Sequence, residues 1–144
     1  MKTKLSIVAL AVLLSVVATG TCHAQQTPLA VKIPFAFQAG DHTLPAGEYR
    51  VESTITGSGT IQRLSQANGE AVMFLVTMPV ESRYGHANPE LVFNCYGQTK
   101  FLSQIWTGDR EGRQLYKSDR EKQISVGERG REFALVLHPT DVKQ

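Results

Sequence analysis

Apolar and polar residues alternate with a period of two along most of the chain from residue 29 onward. Successive side chains of a β-strand point to opposite faces of a sheet, so this period is typical of half-buried strands. The pattern therefore predicts an all-β fold. The predicted strands lie at residues 31–38, 48–52, 60–65, 71–78, 91–96, 100–106 and 132–138.

Turn signals separate these strands at regular intervals. Asn68-Gly69 predicts a type I′ hairpin turn, because such a turn needs positive φ at two successive residues. Gly97-Gln98-Thr99 predicts the turn of a second hairpin, with Lys100 opposite Tyr96. About seven strands with such turns favour a single-domain antiparallel β-sandwich or a small barrel.

Two segments depart from simple alternation. Residues 71–78 are apolar at almost every position, which predicts a central strand covered on both faces, and Pro79 is expected to end it. Pro34 lacks a donor N–H and favours an edge position or a bulge. Ser118 and Glu121 fit a capping box, which predicts one short helix at residues 119–124.

The first 24 residues have the features of a cleavable secretory signal peptide. Lys2 and Lys4 precede an apolar run of about 14 residues, which is shorter than the ~20 residues that span a bilayer as a helix. Small residues then lead to Ala24 at the expected cleavage position. We therefore predict a signal peptide at 1–24, a single β-domain at 25–144, and a periplasmic or extracellular destination.

Two alternatives for this segment remain open. An uncleaved anchor is disfavoured by the short apolar run. A lipid-bearing cysteine at Cys22 is disfavoured because Thr19-Gly20-Thr21 lacks the usual leucine and the small residue directly before the cysteine. After cleavage the only remaining cysteine is Cys95, so an intrachain disulfide is excluded.

The balance of charged residues argues against a nucleic-acid partner. Cleavage removes Lys2 and Lys4 and leaves 13 of the 15 basic side chains beside 13 acidic ones. The most basic stretch, residues 110–131, is interleaved with acidic residues, whereas nucleic acid requires a concentrated positive surface.

Several short motifs occur together along the mature chain. They are Ile33-Pro34-Phe35-Ala36-Phe37, Ala39-Gly40-Asp41, Leu44-Pro45-Ala46-Gly47-Glu48-Tyr49, Leu91-Val92-Phe93-Asn94 with Tyr96-Gly97, Phe101-Leu102-Ser103-Gln104-Ile105-Trp106, Gly112-Arg113-Gln114-Leu115 and Lys117-Ser118-Asp119-Arg120-Glu121. Together they resemble a family of small exported bacterial all-β proteins of unassigned function. The six-residue stretch 44–49 is also similar to prealbumin-like accessory domains. Neither resemblance implies an activity, a cofactor or a site residue.

Candidate catalytic and metal-binding residues have simpler structural interpretations. Strand parity places Cys95 on the core face with Leu91 and Phe93 and turns Lys100 to the other face, so we expect a buried, unreactive thiol. An intermolecular disulfide is the alternative. The histidines 42, 86 and 138 lack the close spacing of zinc ligands, and we predict no metal or cofactor.

Paired carboxylates and nucleophile motifs give no stronger signal. Asp41 with Glu48, and Asp109 with Glu111, could form the carboxylate pair of a glycosidase, but the sequence favours an exposed turn or strand for the first pair and an exposed loop for the second. Gly57-Ser58-Gly59 lacks the strand-to-helix setting of a nucleophile elbow. The sequence therefore predicts no catalytic residue.

Aromatic residues are the best candidates for a partner or ligand surface, since they combine a large contact area with a polar group. These candidates are Tyr84, Tyr96, Trp106 and Tyr116. Strand parity places Trp106 on the face of Leu102 and opposite Phe101 and Ile105. Both faces of this hairpin are thus apolar, which indicates either cover within the domain or a partner surface.

The sequence favours a non-enzymatic exported β-domain that binds an unknown protein or an envelope component. A carrier with an apolar ligand inside a β-barrel is the alternative. An enzyme of an unfamiliar type ranks third.

Overall fold

The computed structural model describes residues 28–54, 61–69, 72–108 and 110–139. This part of the chain contains eleven strands and one helix. The strands are β1 (Leu29–Ile33), β2 (Phe37–Ala39), β3 (His42–Leu44), β4 (Gly47–Thr54), β5 (Ile61–Gln66), β6 (Val72–Glu81), β7 (Pro89–Tyr96), β8 (Thr99–Thr107), β9 (Glu111–Leu115), β10 (Arg131–Val136) and β11 (His138–Pro139), and the helix is α1 (Asp119–Gly127). The predicted all-β fold with one short helix is confirmed, with eleven strands instead of about seven. The predicted signal peptide lies outside the described residues.

The strands form one mixed sheet in the order β10-β7-β8-β9-β6-β5-β4-β1-β11. The small hairpin β2–β3 joins it through β2, which pairs with β8 in parallel; every other pair is antiparallel. The two ends of the order lie on one segment of chain, because β10 and β11 are separated only by Leu137. Strand β6 connects the two halves of the sheet, since residues 72–76 pair with β5 and residues 77–81 pair with β9.

The core lies between the inner faces of these halves. Alternate residues of β1 and β4 contribute Val31, Ile33, Tyr49 and Val51, as the sequence predicts. The other buried members are Phe37, Ala39, Leu44, Leu64, Leu75, Leu91, Phe93, Leu102, Ile105, Leu115 and Leu137. The rings of Tyr49 and Phe93 meet Phe37 edge-on, at centroid distances of 5.3 and 5.6 Å. Such contacts add about 0.5–1.5 kcal/mol each to the burial of apolar area.

Several elements differ from the sequence-based prediction in their bounds. Pro34 interrupts the predicted strand 31–38 and divides it into β1 and β2. Pro79 does not end β6, which runs on to Glu81 with Pro79 opposite Arg113 of β9. Strand β9 itself lies in a segment that the sequence predicts as a loop. The helix begins at the predicted residue and extends to Gly127.

The hairpin β7–β8 has a different register from the predicted one. Its turn contains only Gly97 and Gln98, so Tyr96 lies opposite Thr99 and Lys100 lies opposite Cys95. Gly97 has a φ of +53° and no other described residue of this turn has positive φ, which fits a type II′ turn. Likewise only Gly69 has positive φ in the Asn68-Gly69 turn, so the predicted type I′ geometry is not formed.

A bulge in β8 changes the faces of its side chains. The register shifts between Val92 and Phe93 of β7, which leaves Ser103 as the extra residue of β8. Leu102 and Ile105 consequently both join the core. Trp106 lies opposite Glu90 on the other face, so the predicted shared face of Trp106 and Leu102 is wrong.

Tyr49 fixes the turn between β3 and β4. Its hydroxyl donates a 2.7 Å hydrogen bond to the carbonyl oxygen of Pro45, and its ring is 1% exposed. Gly47 packs closely in this turn, because a Cβ there would lie 3.0 Å from Nε2 of the Gln66 side chain. The Leu-Pro-Ala-Gly-Glu-Tyr stretch is therefore a turn held by its own tyrosine.

Alkaline pH is expected to destabilise the protein through Tyr49. Burial raises the pKa of the Tyr49 phenol above its ordinary value of 10.0. The unfolded chain therefore loses this proton first, and the stabilising contribution, which is complete below pH ~10, is lost as the pH rises further. Chemical unfolding between pH 8 and 11.5 measures this effect. Tyr49→Phe is expected to flatten the decline, and Tyr116→Phe, at a ring that is 59% exposed, is the control that leaves it unchanged.

Candidate interaction surface

Strand β6 presents large apolar side chains to solvent. Leu75 and Thr77 point into the interior and are 5% and 2% exposed, whereas Phe74 and Val76 on the opposite face are 61% and 63% exposed. Strand β6 lies in the interior of the strand order, yet these two large apolar side chains are uncovered. Exposed apolar clusters of this kind mark contact sites. The predicted central position of this strand is confirmed, but the predicted cover on both faces is wrong.

The neighbouring strands extend this exposed surface. On β5, Ile61 lies directly opposite Val76, and Arg63 lies directly opposite Phe74. Strand alternation places Met78 on the same face, and Ile61 and Met78 are both half-buried. We refer to Ile61, Phe74, Val76 and Met78 as the β5–β6 patch.

A salt bridge borders the β5–β6 patch. The guanidinium of Arg63 contacts the carboxylate of Glu52 on β4 at 2.8 Å, and both side chains are about a third or more exposed. Exposed pairs of this kind contribute about 0–1 kcal/mol to stability. Because the two charges neutralise each other, the adjacent apolar residues dominate this face.

The four aromatic residues singled out in the sequence do not form one surface. Tyr96 and Trp106 are 5% and 3% exposed, whereas Tyr84 and Tyr116 are 96% and 59% exposed. Trp106 lies opposite Glu90, which is six residues from Tyr96 along β7, or about 20 Å at the usual rise of a strand. Tyr96 and Trp106 are therefore covered within the domain, which is one of the two arrangements that the sequence indicates.

Helix α1 covers one end of the outer face of β7–β8. Its N-cap Ser118 accepts a hydrogen bond from the backbone N–H of Glu121. The Glu121 carboxylate is buried and accepts a 2.9 Å hydrogen bond from Nδ2 of Asn94 on β7. The capping-box glutamate thus attaches the helix to the sheet, which its position in the sequence does not predict.

The other end of this face is covered by the loop before β7. The imidazole of His86 stacks on the Trp106 ring with centroids 3.8 Å apart and an interplanar angle of 20°. Nδ1 of His86 lies 2.5 Å from the Glu90 carboxylate, and Nε1 of Trp106 donates to Oε1 of Gln104. This cluster brings together side chains from the loop before β7, from β7 and from β8.

Cys95 packs against the core on the same face as Phe93, as predicted, but it is half-buried instead of buried. Its predicted separation from basic side chains is wrong, because Lys100 and Arg131 lie directly opposite it on the two adjacent strands. The Lys100 ammonium lies 4.8 Å from the centroid of the Phe35 ring. The thiol is therefore at a partly exposed, basic edge of the core.

The histidines and paired carboxylates remain dispersed. His42 and His138 are exposed on β3 and β11, whereas His86 is half-buried in the loop before β7. Asp41, Glu48 and Glu111 are exposed, and Asp109 lies outside the described residues. Among residues 28–139 with their three gaps, no group of three or more His, Cys, Asp or Glu side chains is arranged to hold a metal ion.

The one helix of the described chain is too short and too polar to cross a bilayer, and no membrane-spanning helix is found there. On this helix, a hydrogen bond from Lys122 lowers the pKa of the Asp119 carboxyl, and the same contact raises the pKa of Lys122. Both groups are fully exposed, so this pair belongs to the solvated surface.

Comparison with protein-family models gives no match to this chain. Comparisons with curated proteins and with solved structures give none either. The β5–β6 patch and the His86–Trp106 cluster therefore stand on their own geometry.

Proposed function

We propose that this chain is an exported, non-enzymatic interaction module of the cell envelope, whose protein partner binds the β5–β6 patch. The exposure of Phe74 and Val76 on β6, next to the half-buried Ile61 of β5, carries the proposal. The partner is expected to contact these exposed side chains, because large apolar groups left uncovered mark contact sites.

The chemistry of the patch indicates the type of contact. Apolar side chains in the centre and an ion pair at the border correspond to the usual arrangement of a protein interface, which has a dry core and a polar rim. An exposed phenylalanine is the kind of residue that fills a pocket on a partner. Phe74 is accordingly the expected anchor of the complex.

The carrier alternative gains no support from the described interior. Its centre is occupied by the mutually packed rings of Phe37, Tyr49 and Phe93, all of them almost fully buried. A carrier needs an interior volume that these rings occupy. The interaction module is therefore preferred.

Export is part of the same proposal. It follows from the signal-peptide features of residues 1–24 and places the mature β-domain in the periplasm or outside the cell. Sequencing of the N-terminus of the protein recovered from the envelope fraction tests it, and Gln25 is the expected first residue. A mature chain that still begins at Met1 contradicts export by this route.

Affinity capture from the protein's own envelope fraction tests the surface. We expect Phe74→Thr/Val76→Thr to reduce partner capture by tenfold or more, because the double variant removes the apolar centre of the patch. Threonine is well tolerated in strands, so the sheet is expected to persist. Native mass spectrometry of the captured complex gives the stoichiometry.

Val126→Thr is the matched control. Val126 is 91% exposed but lies on α1, away from the patch, and its replacement is expected to leave capture unchanged. Equal capture by all three proteins, or no captured partner for any of them, contradicts the proposed surface.

A further inference from the structure

The loop between β6 and β7, residues 82–88, contacts the sheet through both its backbone and its side chains. The backbone N–H of Ser82 donates to the carbonyl oxygen of Arg110, and Gly85 adopts a φ of +70° in the middle of the loop. His86 provides the side-chain attachment through Trp106 and Glu90. Tyr84, which is 96% exposed, is carried by this loop two residues before the histidine.

The sheet positions both groups that His86 contacts. Glu90 of β7 lies directly opposite Trp106 of β8, and Trp106 lies directly opposite Gly112 of β9. A carboxylate and an indole ring therefore occupy adjacent positions in one row across three strands. The absence of a side chain at Gly112 leaves room for the indole, since a Cβ there would lie 2.5 Å from Cε3 of Trp106.

We propose that His86 is a proton-dependent latch, which holds the 82–88 loop and its exposed Tyr84 against the sheet more firmly when the imidazole is protonated. Histidine is the side chain whose charge ordinarily changes between about pH 5 and 8. Protonation turns the contact with Glu90 into an ion pair with a short, charge-assisted hydrogen bond. It also places a cation over the indole face, where the ring quadrupole attracts it.

The other charged groups around the loop oppose this effect only in part. Arg110, from the turn between β8 and β9, passes beside the loop, with its Cγ 3.6 Å from the position of a Cβ on Gly85. Arg83 within the loop is exposed to solvent. Glu90 is in direct contact with the imidazole and is half-buried, so its attraction is screened less than the repulsion from either arginine.

Trp106 is the only tryptophan of the chain, so its fluorescence reports on the latch directly. We expect its emission to change between about pH 5 and 8, where the charge of a histidine side chain ordinarily changes. His86→Gln is expected to abolish the transition. His42→Asn, at an exposed histidine of β3, is expected to leave it unchanged.

Hydrogen exchange of the loop amides separates a latch from a local optical effect. After correction for the intrinsic pH dependence of exchange, residues 82–88 are expected to be several-fold better protected at pH 5.5 than at pH 7.5. This difference is expected to disappear in His86→Gln, while the protection of β4 and β5 stays constant. A transition that persists in His86→Gln, or loop protection that does not depend on pH, overturns the proposal.

Discussion

Replacing Phe93 with alanine is expected to lower the free energy of unfolding by about 3–5 kcal/mol, as for other fully buried aromatic residues. Phe93 has no exposed surface, and the rings of Phe35 and Phe37 meet it edge-on at centroid distances of 5.4 and 5.6 Å. Alanine leaves a cavity beside these two rings. Because the total free energy of unfolding of a domain of this size is only about 5–15 kcal/mol, equilibrium denaturation should show a large loss of stability.

Phe133→Ala is the matched control for this prediction. Phe133 lies directly opposite Phe93 in the pairing of β10 with β7, and it is 45% exposed. The same chemical change at this position is expected to cost about 1 kcal/mol or less, since much of the ring already contacts water. Similar losses for the two variants would show that the packing around Phe93 does not determine the stability of the core.

Strand alternation is sufficient to predict a large part of this core. Val31 and Ile33, and Tyr49 and Val51, are pairs separated by one polar residue, and all four are buried. The physical reason is that a strand with one apolar face has only one favourable orientation in a sheet. The short helix can also be predicted from the sequence, because the hydrogen bond that caps it, from the Glu121 N–H to the Ser118 hydroxyl, joins residues that are close in sequence.

The errors arise where one residue changes the register. The two-residue turn at Gly97-Gln98 places Lys100 opposite Cys95, although a three-residue turn would place it opposite Tyr96. The bulge at Ser103 then exchanges the faces of the residues that follow, including Trp106. Such a slip reverses every later inference from parity, and nothing in the local sequence marks it.

The sequence also does not predict which outer faces of the sheet are covered by another element of the fold. Apolar runs in residues 71–78 and 100–106 look alike, yet Trp106 is 3% exposed and Phe74 is 61% exposed. The difference comes from His86, which is distant from Trp106 in sequence and lies on its ring. Alternation shows which residues share a face, but the tertiary fold determines whether another element covers it.

Gly112→Ala is expected to destabilise the protein by about 1–3 kcal/mol, the usual cost of adding a methyl group to a closely packed site. The new Cβ would lie 2.5 Å from Cε3 and 2.6 Å from Cδ2 of Trp106, so the indole must move. Its displacement also separates it from the imidazole of His86. We therefore expect both a lower denaturation midpoint and the loss of the pH-dependent change in tryptophan emission.

Gly127→Ala distinguishes this close approach from the general effect of replacing a glycine. Gly127 ends α1, and no neighbouring atom lies within 4 Å of the position of its Cβ. Alanine is expected to be neutral there or to stabilise the helix by up to about 1 kcal/mol, because it has the higher helix propensity. Neither glycine has positive φ, so the two variants differ in the space around the new methyl group and not in backbone strain. If Gly112→Ala keeps the stability and the emission of the parent protein, the row Glu90–Trp106–Gly112 does not fix the indole, and His86 has no rigid partner on which to close.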